Sequence, residues 1–166
     1  MTLAVGAAAP QFTLLDQHGS KWSLKEHRGA PVVLYFYPKD DTPGCTVQSC
    51  DIRDNWSDFE ELGVEVVGIS PDDHHSHAAF IARYELPHTL LADPDRKVLD
   101  KYGAWGEKSM YGKKFMGVIR SSVVIDAKGK IAAVFPKIRP EKQSEKSLAV
   151  VRELVARSSR PPGPLT

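Results

Sequence analysis

The sequence predicts an α/β fold, on three observations. Apolar runs rich in β-branched and aromatic residues recur at Pro31–Tyr37, Val64–Ser70 and Ser122–Asp126; runs of that length and composition suit strands covered on both faces. Between and after them lie stretches with apolar residues at helical spacing. Strand and helix alternate along the chain, the order of βαβ units around a mainly parallel central sheet.

Taken in order, Gln11–Leu15 and Trp22–Leu24 flank the turn-like Asp16-Gln17-His18-Gly19, which predicts a short N-terminal hairpin. Pro31–Tyr37 is the first buried strand. Thr46–Leu62 carries Ile52, Trp56 and Phe59 at helix spacing, and Val64–Ser70 is the second strand. Ser76–Tyr84, with Ala78, Ala79, Ile81 and Ala82, predicts another helix. Ser122–Asp126 and the Lys128–Gly129 turn predict a strand with an antiparallel partner at Ile131–Phe135. Glu141–Ala156 predicts the last helix, with Leu148, Val151, Leu154 and Val155 on one stripe. The prolines and glycine that follow cannot continue it. One domain is therefore expected over residues 1–156, with a frayed tail over 157–166.

A chain of 166 residues with 42% hydrophobic and 26% charged residues suits one soluble globular domain. Its 22 Lys+Arg against 21 Asp+Glu give a net charge of +1, without the basic excess that nucleic-acid binding uses. No apolar run approaches the ~20 residues of a membrane span. Met1–Gly6 has neither a basic n-region nor a long apolar h-region, so no secretory signal is expected and a cytoplasmic location is. The two cysteines, Cys45 and Cys50, exclude a disulfide-rich secreted scaffold.

The chemistry concentrates where the first strand meets the first helix, in Tyr35-Phe36-Tyr37-Pro38-Lys39-Asp40-Asp41-Thr42-Pro43-Gly44-Cys45-Thr46, followed by Cys50. Thr42 suits an N-cap, and Pro43 suits the first helical position, where its missing N–H is no loss. Cys45 then falls in the first turn, where unpaired N–H groups and the positive dipole end favour thiolate over thiol. Gly44 leaves room for a small ligand to approach the backbone. The carboxyl end of a strand in an α/β sheet is also where ligands usually bind. Five residues of helix separate the cysteines by a rise of ~7.5 Å and a rotation of ~140°, about 8–9 Å between Cα atoms. A disulfide needs roughly 4.4–6.8 Å, so bonding them requires the helix to unwind. The spacing thus favours a reversible disulfide over a static one. On spacing alone, Cys50 reads equally as a small buried hydrophobe.

The run Pro38-x-x-x-Thr42-x-x-Cys45 resembles the peroxidatic motif of the peroxiredoxins, and the longer string with Cys50 resembles their Q-type, or bacterioferritin comigratory, subfamily. Gly6-Ala-Ala-Ala-Pro10-Gln-Phe12, Val66-Val-Gly-Ile-Ser-Pro71 and Arg120-Ser-Ser-Val-Val-Ile-Asp126 extend the likeness over all but the tail. The resemblance implies a thioredoxin-like fold, a central mixed sheet flanked by helices with an N-terminal β-hairpin extension. It implies a peroxidase acting on hydrogen peroxide and organic hydroperoxides without metal or organic cofactor. Cys45 would be the peroxidatic nucleophile, and Arg120 the fixed cation on the peroxide. Thr42 would set its hydroxyl beside sulfur and substrate, with Gly44 bordering the substrate site and Pro38 shielding the thiolate. Cys50 would be the resolving cysteine, and thioredoxin or a glutaredoxin-like donor the reductant, in a monomer. Two positions depart from the family: Gln48 stands where Glu is common, and Ile52 where Phe often precedes Arg53-Asp54. Gln48 removes a carboxylate near the thiolate; altered rates are expected, not an altered reaction.

Other features carry less. The cluster His74, His75 and His77 invites a metal site, but no second cluster completes a shell, and a polar turn capping the helix from Ser76 accounts for it. Lys108–Lys114 reads as a solvated loop, Trp105 as packing and Tyr111 as a residue bordering the pocket; Asp51, Asp54 and Asp58 read as solubilising surface. Two rival functions follow. A thiol–disulfide oxidoreductase would want a Cys-x-x-Cys pair that the chain lacks. A non-catalytic metal binder would rest on the histidine cluster.

Overall fold

The structure is a computed structural model that describes residues 3–158. Its strands are β1 (Thr13–Leu15), β2 (Lys21–Ser23), β3 (Val32–Phe36), β4 (Glu65–Ser70), β5 (Thr89–Ala92), β6 (Trp105–Met110), β7 (Lys113–Val118), β8 (Ser121–Ile125) and β9 (Ile131–Phe135). Its helices are α1 (Pro43–Asp54), α2 (Trp56–Glu61), α3 (His74–Tyr84), α4 (Lys97–Lys101) and α5 (Gln143–Ser158). Among the described residues no helix is long and apolar enough to cross a membrane.

Seven strands form one sheet in the order β2-β1-β5-β4-β3-β8-β9. It is mixed, not mainly parallel: β3 runs parallel to β4 and β4 to β5, while β8, β9 and the N-terminal hairpin pair antiparallel. The parallel centre is the part whose apolar runs are continuous, because both faces are covered.

The two-residue period of β3 divides the core. Val32, Leu34 and Phe36 face a cluster with Phe12, Trp22, Leu99 and Tyr102, capped by the N-terminal hairpin and α4. Val33, Tyr35 and Tyr37 face the opposite cluster, with Cys45, Ile52, Phe59, Phe80 and Val151 from α1, α2, α3 and α5. The Tyr35 ring fits only because position 68 is glycine, since a Cβ there would lie 2.5 Å from its Cζ.

Several elements differ from the sequence expectation. The helix expected over Thr46–Leu62 is two, α1 and α2, broken at Asn55, whose side chain donates back to the Asp51 carbonyl at 2.8 Å. α3 starts at His74 instead of Ser76, because Asp73 caps it by accepting from the Ser76 N–H at 2.8 Å. A 3-10 turn at Pro140–Lys142 precedes α5, and α5 runs through Ser158, beyond the Ala156 expected. The remainder of the expected tail lies outside the described residues. β5, α4 and the hairpin β6–β7 were not expected at all.

Candidate active site

β3 delivers the chain at Tyr37 into the loop Pro38–Thr42, and α1 begins at Pro43. Asp40 organises this loop. Its carboxylate accepts from Tyr37 OH at 2.6 Å and Ser76 Oγ at 2.8 Å, and lies 2.7 Å from His77 Nδ1. His77 Nε2 faces the Leu91 carbonyl at 2.9 Å, so both ring nitrogens are engaged. The Asp40 N–H donates to Asp72 Oδ2 at 2.8 Å. Burial, with Asp40 beside it, pushes the Tyr37 hydroxyl well above its ordinary pKa and keeps it a donor. Asp41 takes a left-handed backbone, φ 59°, and its carboxylate accepts from Tyr84 OH at 2.7 Å and from Arg83. Two successive aspartates therefore tie the loop to α3.

Thr42 occupies the N-cap position but does not cap through its side chain; its hydroxyl donates to the Lys39 carbonyl at 2.8 Å. With that proton committed, the oxygen faces other partners as an acceptor. Cys45 is the third residue of α1 and has no exposed surface. Arg120, between β7 and β8, donates from Nη2 to Cys45 Sγ at 3.4 Å. Its other terminal nitrogen donates to Gln48 Oε1 at 2.5 Å, and its carbonyl accepts from the Ile138 N–H. A cation thus lies on the sulfur in the first turn of a helix. Gly44 lets the guanidinium come close, since a Cβ there would lie 3.0 Å from Arg120 Nη2 and press on it. An open cavity of about 840 Å³ adjoins Arg120, lined by Lys108, Ile119, Ile138 and Pro140 among others.

Cys50 is half-buried on the same helix and unbonded to Cys45. Burial pushes its thiol pKa up, with Arg53 pulling the other way. Beneath it, Ser49 Oγ lies 3.1 Å from Tyr35 OH, which lies 2.6 Å from His88 Nε2. His88 Nδ1 has no hydrogen-bond partner, and burial pulls this imidazole down to about 3. The Trp56 ring sits 6.3 Å from it.

The structure brings Cys45, Arg120 and Gly44 together and puts Pro38 and Thr42 at the ends of the adjoining loop. It corrects other expectations. The histidine run is divided: His77 turns inward with both ring nitrogens engaged, while the His74 and His75 rings lie tilted against each other with centroids 4.1 Å apart. Lys108–Lys114 is not a loop but the turn and flanks of the β6–β7 hairpin, whose tip holds Tyr111 97% exposed and away from the cavity. Trp105 packs against the core under the Arg96 guanidinium at 4.8 Å. Asp51 is no surface solubiliser, because it accepts from the Ser144 N–H at 2.8 Å. Sequence reading missed Asp40, Asp41 and Gln143. For the aspartates the available signal is a pair of residues tolerant of left-handed backbone just before an N-cap.

Comparison with known proteins adds four findings. The model of the AhpC/TSA family matches residues 5–134. The chain is 42% identical to "Peroxiredoxin Bcp" of Escherichia coli over 91% of its length and 97% of that protein's. It is 36% identical to the protein of the same name in Bacillus subtilis, over 93% and 98%. Among solved structures, the Xanthomonas campestris bacterioferritin comigratory protein, described for alkyl peroxide reduction, superposes with a TM-score of 0.82 at 29% identity. That match covers 87% of this chain and 92% of that one.

Proposed function

The chain belongs to the AhpC/TSA family, has the thioredoxin-like fold of its peroxiredoxins and is a thiol-dependent peroxidase, and on that premise we propose that Cys45 is its nucleophile and Cys50 its resolving thiol. The Cys45 thiolate attacks the terminal oxygen of a peroxide. The S–O bond forms as the O–O bond breaks, and the leaving oxygen takes a proton and departs as water or an alcohol. Arg120 holds the peroxide and meets the negative charge as it moves onto the leaving oxygen. The Thr42 oxygen, whose hydroxyl donates a hydrogen bond to the Lys39 carbonyl, accepts from the peroxide O–H. Pro38 covers the sulfur from water, and Gly44 keeps the guanidinium against it. The observation that carries this reading is the 3.4 Å contact between Arg120 and a fully buried Cys45 Sγ.

Resolution needs motion. Both cysteines lie on α1, roughly 8–9 Å apart between Cα atoms by helix geometry, beyond disulfide reach. α1 unwinds, the burial that holds Cys50 as a thiol is relieved, and Cys50 sulfur displaces the sulfenic oxygen as water. A dithiol reductant of the thioredoxin or glutaredoxin-like kind then restores both thiols by exchange and leaves as its own disulfide. One chain carries the whole cycle, which supports a monomer of one domain over residues 1–156. The dependence on a reducing thiol pool supports a cytoplasmic setting. Both hydrogen peroxide and alkyl hydroperoxides are proposed substrates, the latter by likeness to the Xanthomonas relative.

Cys45→Ser is expected to reduce peroxide consumption to background in a stopped-flow assay with thioredoxin; near wild-type turnover would overturn the nucleophile assignment. Cys50→Ser is expected to complete one turnover to a dimedone-trappable sulfenic acid, and normal recycling would overturn the resolving role.

A further inference from the structure

α1 is gripped along one side by the start of α5. Arg120 Nη1 donates to Gln48 Oε1 at 2.5 Å, Gln48 Nε2 to Gln143 Oε1 at 2.9 Å, and Gln143 Nε2 to Ser122 Oγ at 2.9 Å. Ser122 Oγ then donates to the Leu34 carbonyl of β3 at 2.7 Å. Gln48, Gln143 and Ser122 are all fully buried. The ends force the direction of this series: a guanidinium only donates and a carbonyl only accepts, so each amide has one orientation that satisfies every bond. Breaking any link strands a donor or acceptor away from water. Three residues further along α1, Asp51 takes the Ser144 N–H at 2.8 Å on its carboxylate and the Ser144 hydroxyl at 3.1 Å on its carbonyl. Gln48 and Asp51 bracket Cys50, so unwinding that carries Cys50 to Cys45 must detach α1 from α5.

Building on the roles assigned above to Cys45 and Cys50, we propose that Gln143 is a positioning residue for both halves of the cycle: through Gln48 it fixes Arg120 on Cys45, and by the same bond it holds α1 helical against disulfide formation. The departure at Gln48 gains a purpose. No carboxylate sits in the series, so the Arg120 charge is left for the peroxide. When α1 unwinds, Gln48 leaves both partners at once and Arg120 loses its support, so the site that has just reacted is dismantled until it is reduced.

The two effects have opposite signs, which separates them from simple loosening of the fold. Gln143→Met keeps the side-chain length and removes both hydrogen bonds. With reduced full-length protein and hydrogen peroxide, rapid quench by thiol alkylation and mass spectrometry reads sulfenate and disulfide formation separately. Expected in Gln143→Met are sulfenate formation about tenfold slower, equivalent to ~1.4 kcal/mol, and disulfide formation several-fold faster. Both rates within twofold of wild type, or both slowed together, would overturn the proposal. Gln143→Glu is the second variant, and it decides alone if the methionine variant does not fold. Its neutral carboxyl accepts from Gln48 and donates to Ser122 as the amide does, so its sulfenate rate relative to wild type should recover as pH falls; a pH-independent ratio counts against the role. Failure of wild-type Cys45 to react with peroxide would instead sink the assignment on which the proposal rests.

Discussion

The loop Pro38–Thr42 and helix α1 meet at Cys45, and they are held to different degrees. The loop is tied to α3 by two carboxylates: Asp40, buried against His77, Ser76 and Tyr37, and Asp41, held by Arg83 and Tyr84. α1 is tied to α5 by the amide-to-amide bond of Gln48 and Gln143 and by Asp51, whose carboxylate accepts one hydrogen bond from the Ser144 N–H and whose carbonyl accepts from the Ser144 hydroxyl. Asp40 is a buried acceptor shared by three side chains, and removing it strands each of them at roughly 1–3 kcal/mol apiece, whereas an amide hydrogen bond contributes about 0.5–1.5 kcal/mol net and a single bond to a charged group roughly 1.5–3 kcal/mol. The stronger anchorage serves the half that must stay still while peroxide binds. The weaker one serves the half that must leave its place once per cycle.

Three perturbations, in falling order of expected effect, bear on this contrast. Asp40→Ala leaves Tyr37 OH, Ser76 Oγ and His77 Nδ1 without their shared partner and should cost about 3 kcal/mol or more in urea unfolding of the reduced protein; a loss below ~1 kcal/mol would show that Asp40 does not anchor the loop. Acidification should act on the α1 side through His88. This imidazole is held near 3 when folded against about 6.5 when unfolded, so the unfolded chain binds the proton first. Stability is then full above pH 6.5 and falls by roughly 1.4 kcal/mol per pH unit below it, until about pH 3. Comparison of wild type with His88→Gln at pH 7 and 5.5 isolates that slope, and equal slopes in the two proteins would exclude His88 as its source. The smallest effect belongs to Arg83→Ala. This pair is largely exposed, and its loss should lower stability by under about 1 kcal/mol with little change in the sulfenate rate.

The parts legible in the sequence were those with a local signature. β3 and β4 announce themselves by continuous apolar runs, and the start of α1 by Thr42-Pro43-Gly44 before Cys45. The β6–β7 hairpin was not legible, because Glu107, Lys108, Ser109, Lys113 and Lys114 are solvent-facing and give no apolar alternation. The break between α1 and α2 depends on one asparagine in a stretch whose apolar spacing continues across it. Thr42 was placed correctly but its hydroxyl turns to Lys39, a choice between two local acceptors that propensity does not decide. The role of Gln143 is a matter of tertiary structure alone: 95 residues separate it from Gln48, and a glutamine at a helix start signals nothing by itself.

Arg120 and Ser122 stand two residues apart in the same chain segment, so the bonds that leave at one through Gln48 and Gln143 return at the other. The series is a closed ring, with the backbone of β8 as its last link. Cutting the ring once weakens the bonds that remain, because neighbouring hydrogen bonds polarise one another, and a second cut releases less than the first. Substitutions at Gln48, Gln143 and Ser122 should therefore behave epistatically, each double variant resembling its worse single parent, so that the three positions drift together or not at all.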